Sequence, residues 1–182
     1  MRDQREFNVY LIGLPGSGKT TLGRLLAKRL DRVFFDSDHF LMNKTGVSIE
    51  TIFELEGEAG FRRREKQVIC ELTSKQSIVL ATGGGSVLDE DNRKLLSLTG
   101  FVVYLESVPA DLLVRLRNDS SRPLLEGSDR LKKLQELYRE RAPLYRSISD
   151  LNYPVRATAL ASSYCADRLI KMIQTRKRLL AS

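Results

Sequence analysis

Tryptophan is absent from this chain, histidine occurs once and cysteine twice. A single histidine with two distant cysteines supplies neither a structural zinc site nor a disulfide framework. Cys70 and Cys165 stand without a companion motif and read as small buried or half-buried side chains. No apolar run approaches the roughly 20 residues that span a bilayer, which argues against a membrane partner. Met1 to Glu6 is polar and mixed in charge, with no apolar signal-peptide core, so the expected compartment is the cytoplasm. Charge of one sign is not scarce: Lys and Arg outnumber Asp and Glu by 30 to 23, a formal net charge of +7. These cations are spread along the chain among acids. The two densest groups are Arg62-Arg63-Arg64 and the stretch Lys171 to Arg178, which reads as the solvated face of a last helix. The pattern fits a small polyanionic ligand better than nucleic acid.

What is present is the composition of a soluble globular protein, 42% hydrophobic and 29% charged over 182 residues. That length suits one α/β domain spanning 1–182. Apolar runs at 7–12, 33–35, 77–81 and 101–105 read as strands, and 152–156 reads as an edge strand because Pro154 cannot donate to a ladder. Between them, apolar residues recur at helical spacing. Leu22, Leu25, Leu26 and Leu30 mark a helix over 20–30, and Val68, Ile69 and Leu72 mark the inward face of another around 61–72. Further helical patterns cover 89–98, 110–116, 131–145 and 159–180. Strand–helix alternation with continuously apolar strands predicts a parallel sheet covered on both faces, an α/β/α sandwich. One stretch, 118–128, is polar, carries Pro and Gly, and is long enough to form a lid; it contains Arg122.

Gly13-Leu14-Pro15-Gly16-Ser17-Gly18-Lys19-Thr20 matches G-x-x-x-x-G-K-[ST] at every fixed position, after a strand and before a helix. Backbone N–H groups of such a loop point inward at phosphate oxygens, and the following helix adds its positive end. Lys19 reaches the β- and γ-phosphates, and the Thr20 hydroxyl is suited to Mg²⁺. This is a P-loop, which alone fits a GTPase, an ATPase motor, a nucleotide kinase or a small-molecule kinase. Neither an Asn-Lys-x-Asp guanine motif nor a strand ending in Asp-Glu is present, which points away from GTPases and motor ATPases.

The acceptor side is read from three other segments. Asp36-Ser37-Asp38 closes the second strand. Two carboxylates one residue apart project to the same side of an extended chain, towards the ligand crevice of an open sheet. One suits hydrated Mg²⁺ and the other an acceptor hydroxyl. His39, without metal-ligand spacing, reads as a residue at a helix start. Arg62 and Glu65 lie three apart on one helical face, and a fixed arginine grips a carboxylate well. Gly83-Gly84-Gly85 follows a buried strand and lets backbone approach a ligand closely.

With the segments Arg122-Pro123-Leu124-Leu125 and Arg141-Ala142-Pro143-Leu144-Tyr145, the order and spacing of these motifs resemble the shikimate kinase family over nearly the full chain. The resemblance implies a nucleoside-monophosphate-kinase-like P-loop fold with a central five-stranded parallel sheet and a lid, acting as a monomer. It implies transfer of the γ-phosphoryl of ATP to the 3-hydroxyl of shikimate, in chorismate and aromatic amino-acid biosynthesis. By position it makes Gly16, Ser17, Gly18, Lys19, Thr20, Thr21 and Arg122 contacts for ATP, and Lys19, Asp38 and Arg122 the catalytic groups. Asp38, Arg62, Gly83, Gly84, Gly85 and Arg141 become contacts for shikimate, with Arg62 and Arg141 on its carboxylate and Glu65 orienting Arg62. Thr20 is the Mg²⁺ ligand and Asp36 stands in the outer shell of the ion. Asp38 either takes the hydroxyl proton or only orients the hydroxyl. Arg115 and Arg117 are alternatives for adenine, because the spacing before the lid varies in the family, and Arg156 is a further candidate where the pattern slips after Tyr145. Rival readings are a gluconate or nucleoside-monophosphate kinase, a ligand sensor without turnover, and a nucleic-acid-binding protein supported by charge alone.

Overall fold

The computed structural model describes residues 7–116, 129–156 and 163–180. The expected lid at 118–128, with Arg122, and the adenine candidate Arg117 lie outside the described residues, as do the first four residues of the helix expected over 159–180.

Five strands form one sheet: β1 (Asn8–Ile12), β2 (Val33–Asp36), β3 (Ile78–Ala81), β4 (Gly100–Glu106) and β5 (Leu151–Pro154). Their order across the sheet is β2-β3-β1-β4-β5, and every pairing is parallel. β5 is an edge strand bonded to β4 alone, and it closes at Pro154, where a proline costs no ladder bond. It therefore stops two residues short of the sequence expectation.

The side-chain alternation of the strands divides the core in two. Val9 and Leu11 of β1 face one side, with Val79, Val103 and Leu105. There they pack on Leu22 and Leu26 of α1 (Lys19–Leu30) and on Ala166, Leu169 and Ile173 of α7 (Ser163–Leu180). Tyr10 and Ile12 face the other side, with Leu80, Val102 and Tyr104. They meet Val68, Ile69 and Leu72 of α3 (Ile49–Thr73), Leu96 of α4 (Glu90–Thr99), Leu112 of α5 (Pro109–Arg115), and Leu134 and Tyr145 of α6 (Arg130–Ile148). Each aliphatic side chain buried this fully contributes about 1.5–3 kcal/mol against exposure. That burial explains why apolar runs without alternation form the central strands.

Three helices depart from the sequence reading. α2 (Ser37–Thr45) begins immediately after β2, because the Asp36 carboxylate accepts from the N–H groups of Asp38 and His39 and caps it. α3 starts at Ile49, twelve residues before the expected apolar face at Phe61, with Ser48 as its cap. It bends at Gly57, whose φ of 67° and ψ of −177° are non-helical. α6 continues to Ile148, through Pro143. Cys165 is buried on α7, whereas Cys70 is exposed. That corrects the expectation for Cys70, which lies off the stripe made by Val68, Ile69 and Leu72.

Candidate active site

Parallel pairing of β1 with β3 brings their carboxyl ends side by side: Leu11 stands opposite Ala81, and the Thr82 N–H donates to the Leu11 carbonyl at 3.1 Å. The loop 13–18 and the glycine turn 83–85 therefore emerge next to each other at the edge where open α/β sheets bind ligands.

The first loop has the backbone its sequence implies. Gly16 and Gly18 have φ of 80° and 90°, the left-handed region that glycine enters without penalty. Gly18 is the N-cap of α1, so the loop runs straight into a helix N-terminus. A Cβ at Gly16 would also press on the Leu116 side chain, at 2.9 Å. Ser17 is buried, and the Lys19 ammonium donates to the carbonyls of Gly13 and Leu14 at 2.8 and 3.0 Å. Thr20 donates through Oγ1 to Asp36 Oδ2 at 2.7 Å, joining the head of α1 to the end of β2. Thr21 follows on α1 as an exposed residue. Burial pushes the Asp36 carboxyl up, but hydrogen bonds from Thr20 and His39 prevail and hold it below its ordinary range. A hydroxyl and an ionised carboxylate are hard oxygen donors of the kind Mg²⁺ takes.

The second half of the site corrects one argument from spacing. Asp36 and Asp38 are not two residues of an extended strand: β2 ends at Asp36, and Asp38 is in the first turn of α2. Asp38 nevertheless faces the crevice. A Cβ on Gly83 would lie 2.7 Å from Asp38 Oδ1 and 2.8 Å from Glu65 Oε1, so both carboxylates converge on that glycine. The Gly83 N–H is bound to Ser37 Oγ at 2.8 Å, which fixes the turn to α2. A Cβ on Gly85 would collide with the Arg62 guanidinium, and one on Gly84 would lie 2.8 Å from Pro15 Cδ. Three consecutive glycines thus admit the carboxylates, the guanidinium and the phosphate loop to van der Waals range of one turn.

Arg62 is bound to Glu65 at 2.7 Å and to Glu58 at 3.1 Å. Burial would lower its pKa, but the two carboxylates raise it. Glu65 is 3% exposed, and its Oε1 has no hydrogen-bond partner among the described residues. Burial lifts its carboxyl from 4.5 to about 7, against the pull of Arg62. Arg141, on α6, is 6% exposed, with Nε 3.2 Å from Glu140. Among the adenine candidates, Arg115 at the end of α5 donates to the backbone carbonyl of Arg156, so these two are neighbours.

Three features of the site carry no signal at the level of single motifs. Phe53 stacks on Phe61 at 4.7 Å across the bend of α3. Ser37 stands between two aspartates that draw all the attention, yet it holds the glycine turn. Tyr145 is visible in the sequence only as the end of the Arg141 motif, one helical turn away on the same face.

Comparison with known proteins agrees with this arrangement. A family model described as shikimate kinase matches residues 15–174. A shikimate kinase of Thiobacillus denitrificans is 53% identical over 154 residues, 85% of this chain and 84% of that protein. One of Burkholderia pseudomallei is 59% identical over 139 residues, 76% of each. A solved shikimate kinase from Acinetobacter baumannii, in complex with shikimate, superposes with a TM-score of 0.89 at 43% identity, covering 94% of both chains. With the P-loop, the five-stranded parallel sheet and these relatives together, the chain belongs to the shikimate kinase family.

Proposed function

We infer that this protein phosphorylates shikimate on its 3-hydroxyl with ATP, giving 3-phosphoshikimate and ADP. The observation that carries this reading is the convergence of Asp38, Glu65 and Arg62 on the glycine turn that lies against the P-loop. A hydroxyl acceptor with a carboxylate at its far end suits that convergence. Arg62 and Arg141 grip the carboxylate, the Gly83–Gly85 turn lines the ring, and Asp38 orients the reacting hydroxyl. Glu65 holds Arg62 in place through their 2.7 Å ion pair.

On the donor side the loop Gly16 to Thr21 binds ATP, with Lys19 next to the β- and γ-phosphates. Thr20 and Asp36 would hold Mg²⁺, which would offset the negative charge of the phosphates. Phosphoryl transfer of this kind depends on positioning and charge stabilisation more than on covalent chemistry. Lys19 supplies fixed positive charge from a buried position. Arg122, outside the described residues, is assigned to the same task by its motif, on a lid over 118–128 that excludes water. One catalytic domain carries all of these groups. Placement in the cytoplasm and a monomeric state belong to the same reading; no helix among the described residues is long and apolar enough to cross a membrane.

The test is ADP release with MgATP, comparing shikimate, gluconate, a set of nucleoside monophosphates and no acceptor. Release dependent on shikimate alone is the expected outcome. Release with gluconate or a nucleotide instead would keep the P-loop kinase and reject the carboxylate grip.

A further inference from the structure

The glycine turn is held from two sides. On one side Ser37 Oγ accepts from the Gly83 N–H. On the other, the Tyr145 hydroxyl of α6 donates to the Gly84 carbonyl. Tyr145 is fully buried, and its ring stacks on Tyr104 of β4 with centroids 5.0 Å apart and planes inclined by 27°. The stack gives the ring an address independent of the hydroxyl. The hydroxyl then has a fixed place from which to hold one peptide of the turn. Gly84 is the residue pressed against Pro15 of the phosphate loop. Its carbonyl direction sets the plane of the peptide that runs between the P-loop and the acceptor residues.

We propose that Tyr145 is a positioning residue for the acceptor: its hydroxyl fixes the Gly84 peptide and so sets how the glycine turn presents its backbone to shikimate. Arg141 lies one helical turn before Tyr145 on α6 and is buried beside it. Burial raises the Tyr145 pKa, while the Arg141 guanidinium opposes that rise through its charge and a hydrogen bond. The hydroxyl thus holds the turn assigned to the substrate ring while lying in the field of the arginine assigned to the substrate carboxylate. The substrate named here rests on the shikimate-kinase reading above. The mechanical role of the hydroxyl does not.

The neighbouring tyrosine supplies the control. Tyr104 is also fully buried and shares the stack, but its hydroxyl has no hydrogen-bond partner among the described residues. Tyr145→Phe and Tyr104→Phe therefore remove the same atom from the same aromatic pair, once with an acceptor and once without. For Tyr145→Phe, KM for shikimate should rise about threefold to tenfold, the span that one net hydrogen bond gives. KM for ATP should stay within about twofold of the wild type, because the P-loop keeps its own bonds. Tyr104→Phe should leave both values unchanged. Amide exchange, which needs no substrate, should be faster at Gly84 and Gly85 in Tyr145→Phe than in wild type, and unchanged in Tyr104→Phe. Equal losses on shikimate and ATP, or an unchanged shikimate KM in active Tyr145→Phe, would overturn the proposal. So would unchanged exchange in the turn, even if Tyr145→Phe were too unstable for kinetics. A wild-type enzyme inactive on shikimate would instead defeat the functional reading, and the exchange comparison would still judge the role of the hydroxyl.

Discussion

Glu65 is buried beside two cations and one other carboxylate, and burial raises the affinity of its carboxyl for a proton. The folded protein binds that proton more tightly than the unfolded chain, whose ordinary value is 4.5. The resulting stabilisation is complete below pH 4.5 and is lost as pH rises through about 7. Glu65→Gln cannot lose it. Relative to that variant, wild type should therefore lose up to about 3 kcal/mol of stability between pH 4.5 and 8. Urea unfolding of both proteins across that range reads the difference, and parallel curves would contradict it. Arg141 gives a second test at this scale. If its guanidinium grips a substrate carboxylate, wild type should prefer shikimate over its uncharged methyl ester by about 100-fold in kcat/KM, the strength of a buried charge-assisted pair. Arg141→Ala should reduce that preference to within about tenfold; an unchanged ratio would remove Arg141 from the grip. The P-loop residues were legible in the sequence because every fixed position has one physical task. The place of Asp38 beside the glycine turn does not follow from strand geometry, since the Asp36 cap turns the chain into α2 before Asp38 is reached. The hydroxyls of Ser37 and Tyr145 were not legible, because their partners on the glycine turn lie far away in sequence.

At the scale of elements, α3 shows where pattern reading stops. Its second half was readable from Val68, Ile69 and Leu72 on one stripe. The first half lies beyond the Gly57 bend, so Ile52 and Phe53 fall out of phase with that stripe although they join the same core. Glu56 and Arg64 span the bend in a 2.6 Å ion pair. The bend itself has a cost that can be measured. A Cβ on Gly57 would meet nothing within 4 Å, so Gly57→Ala tests conformation without collision. With φ at 67° and ψ at −177°, alanine should cost about 1–3 kcal/mol. Denaturant midpoints with an unchanged slope would show this, and an alanine variant as stable as wild type would mean that the bend relaxes freely. The strands, in contrast, were legible nearly to the residue. β1, β3 and β4 are covered on both faces, which demands continuous apolar sequence; the bounds of β1 to β4 differ from the expected ones by at most one residue, and only the end of the edge strand β5 moves by two.

For the whole molecule, strand–helix alternation was enough to foresee two helical layers on a parallel sheet, but not the strand order β2-β3-β1-β4-β5. That order decides the function, because it seats β1 between β3 and β4 and sets the phosphate loop against the glycine turn. The net charge of +7 is diffuse along the chain, and part of it sits in the buried Lys19 and Arg141 and the partly buried Arg62. The central claim is that this juxtaposition moves a phosphoryl group from ATP to one hydroxyl of shikimate. The most direct measurement is the product of a complete turnover, followed by phosphorus and proton NMR with ADP quantified in parallel. The account predicts one ADP for each phosphorylated shikimate, with the phosphorus coupled to the proton on C3. Free inorganic phosphate in place of the ester, or coupling at another carbon, would contradict it.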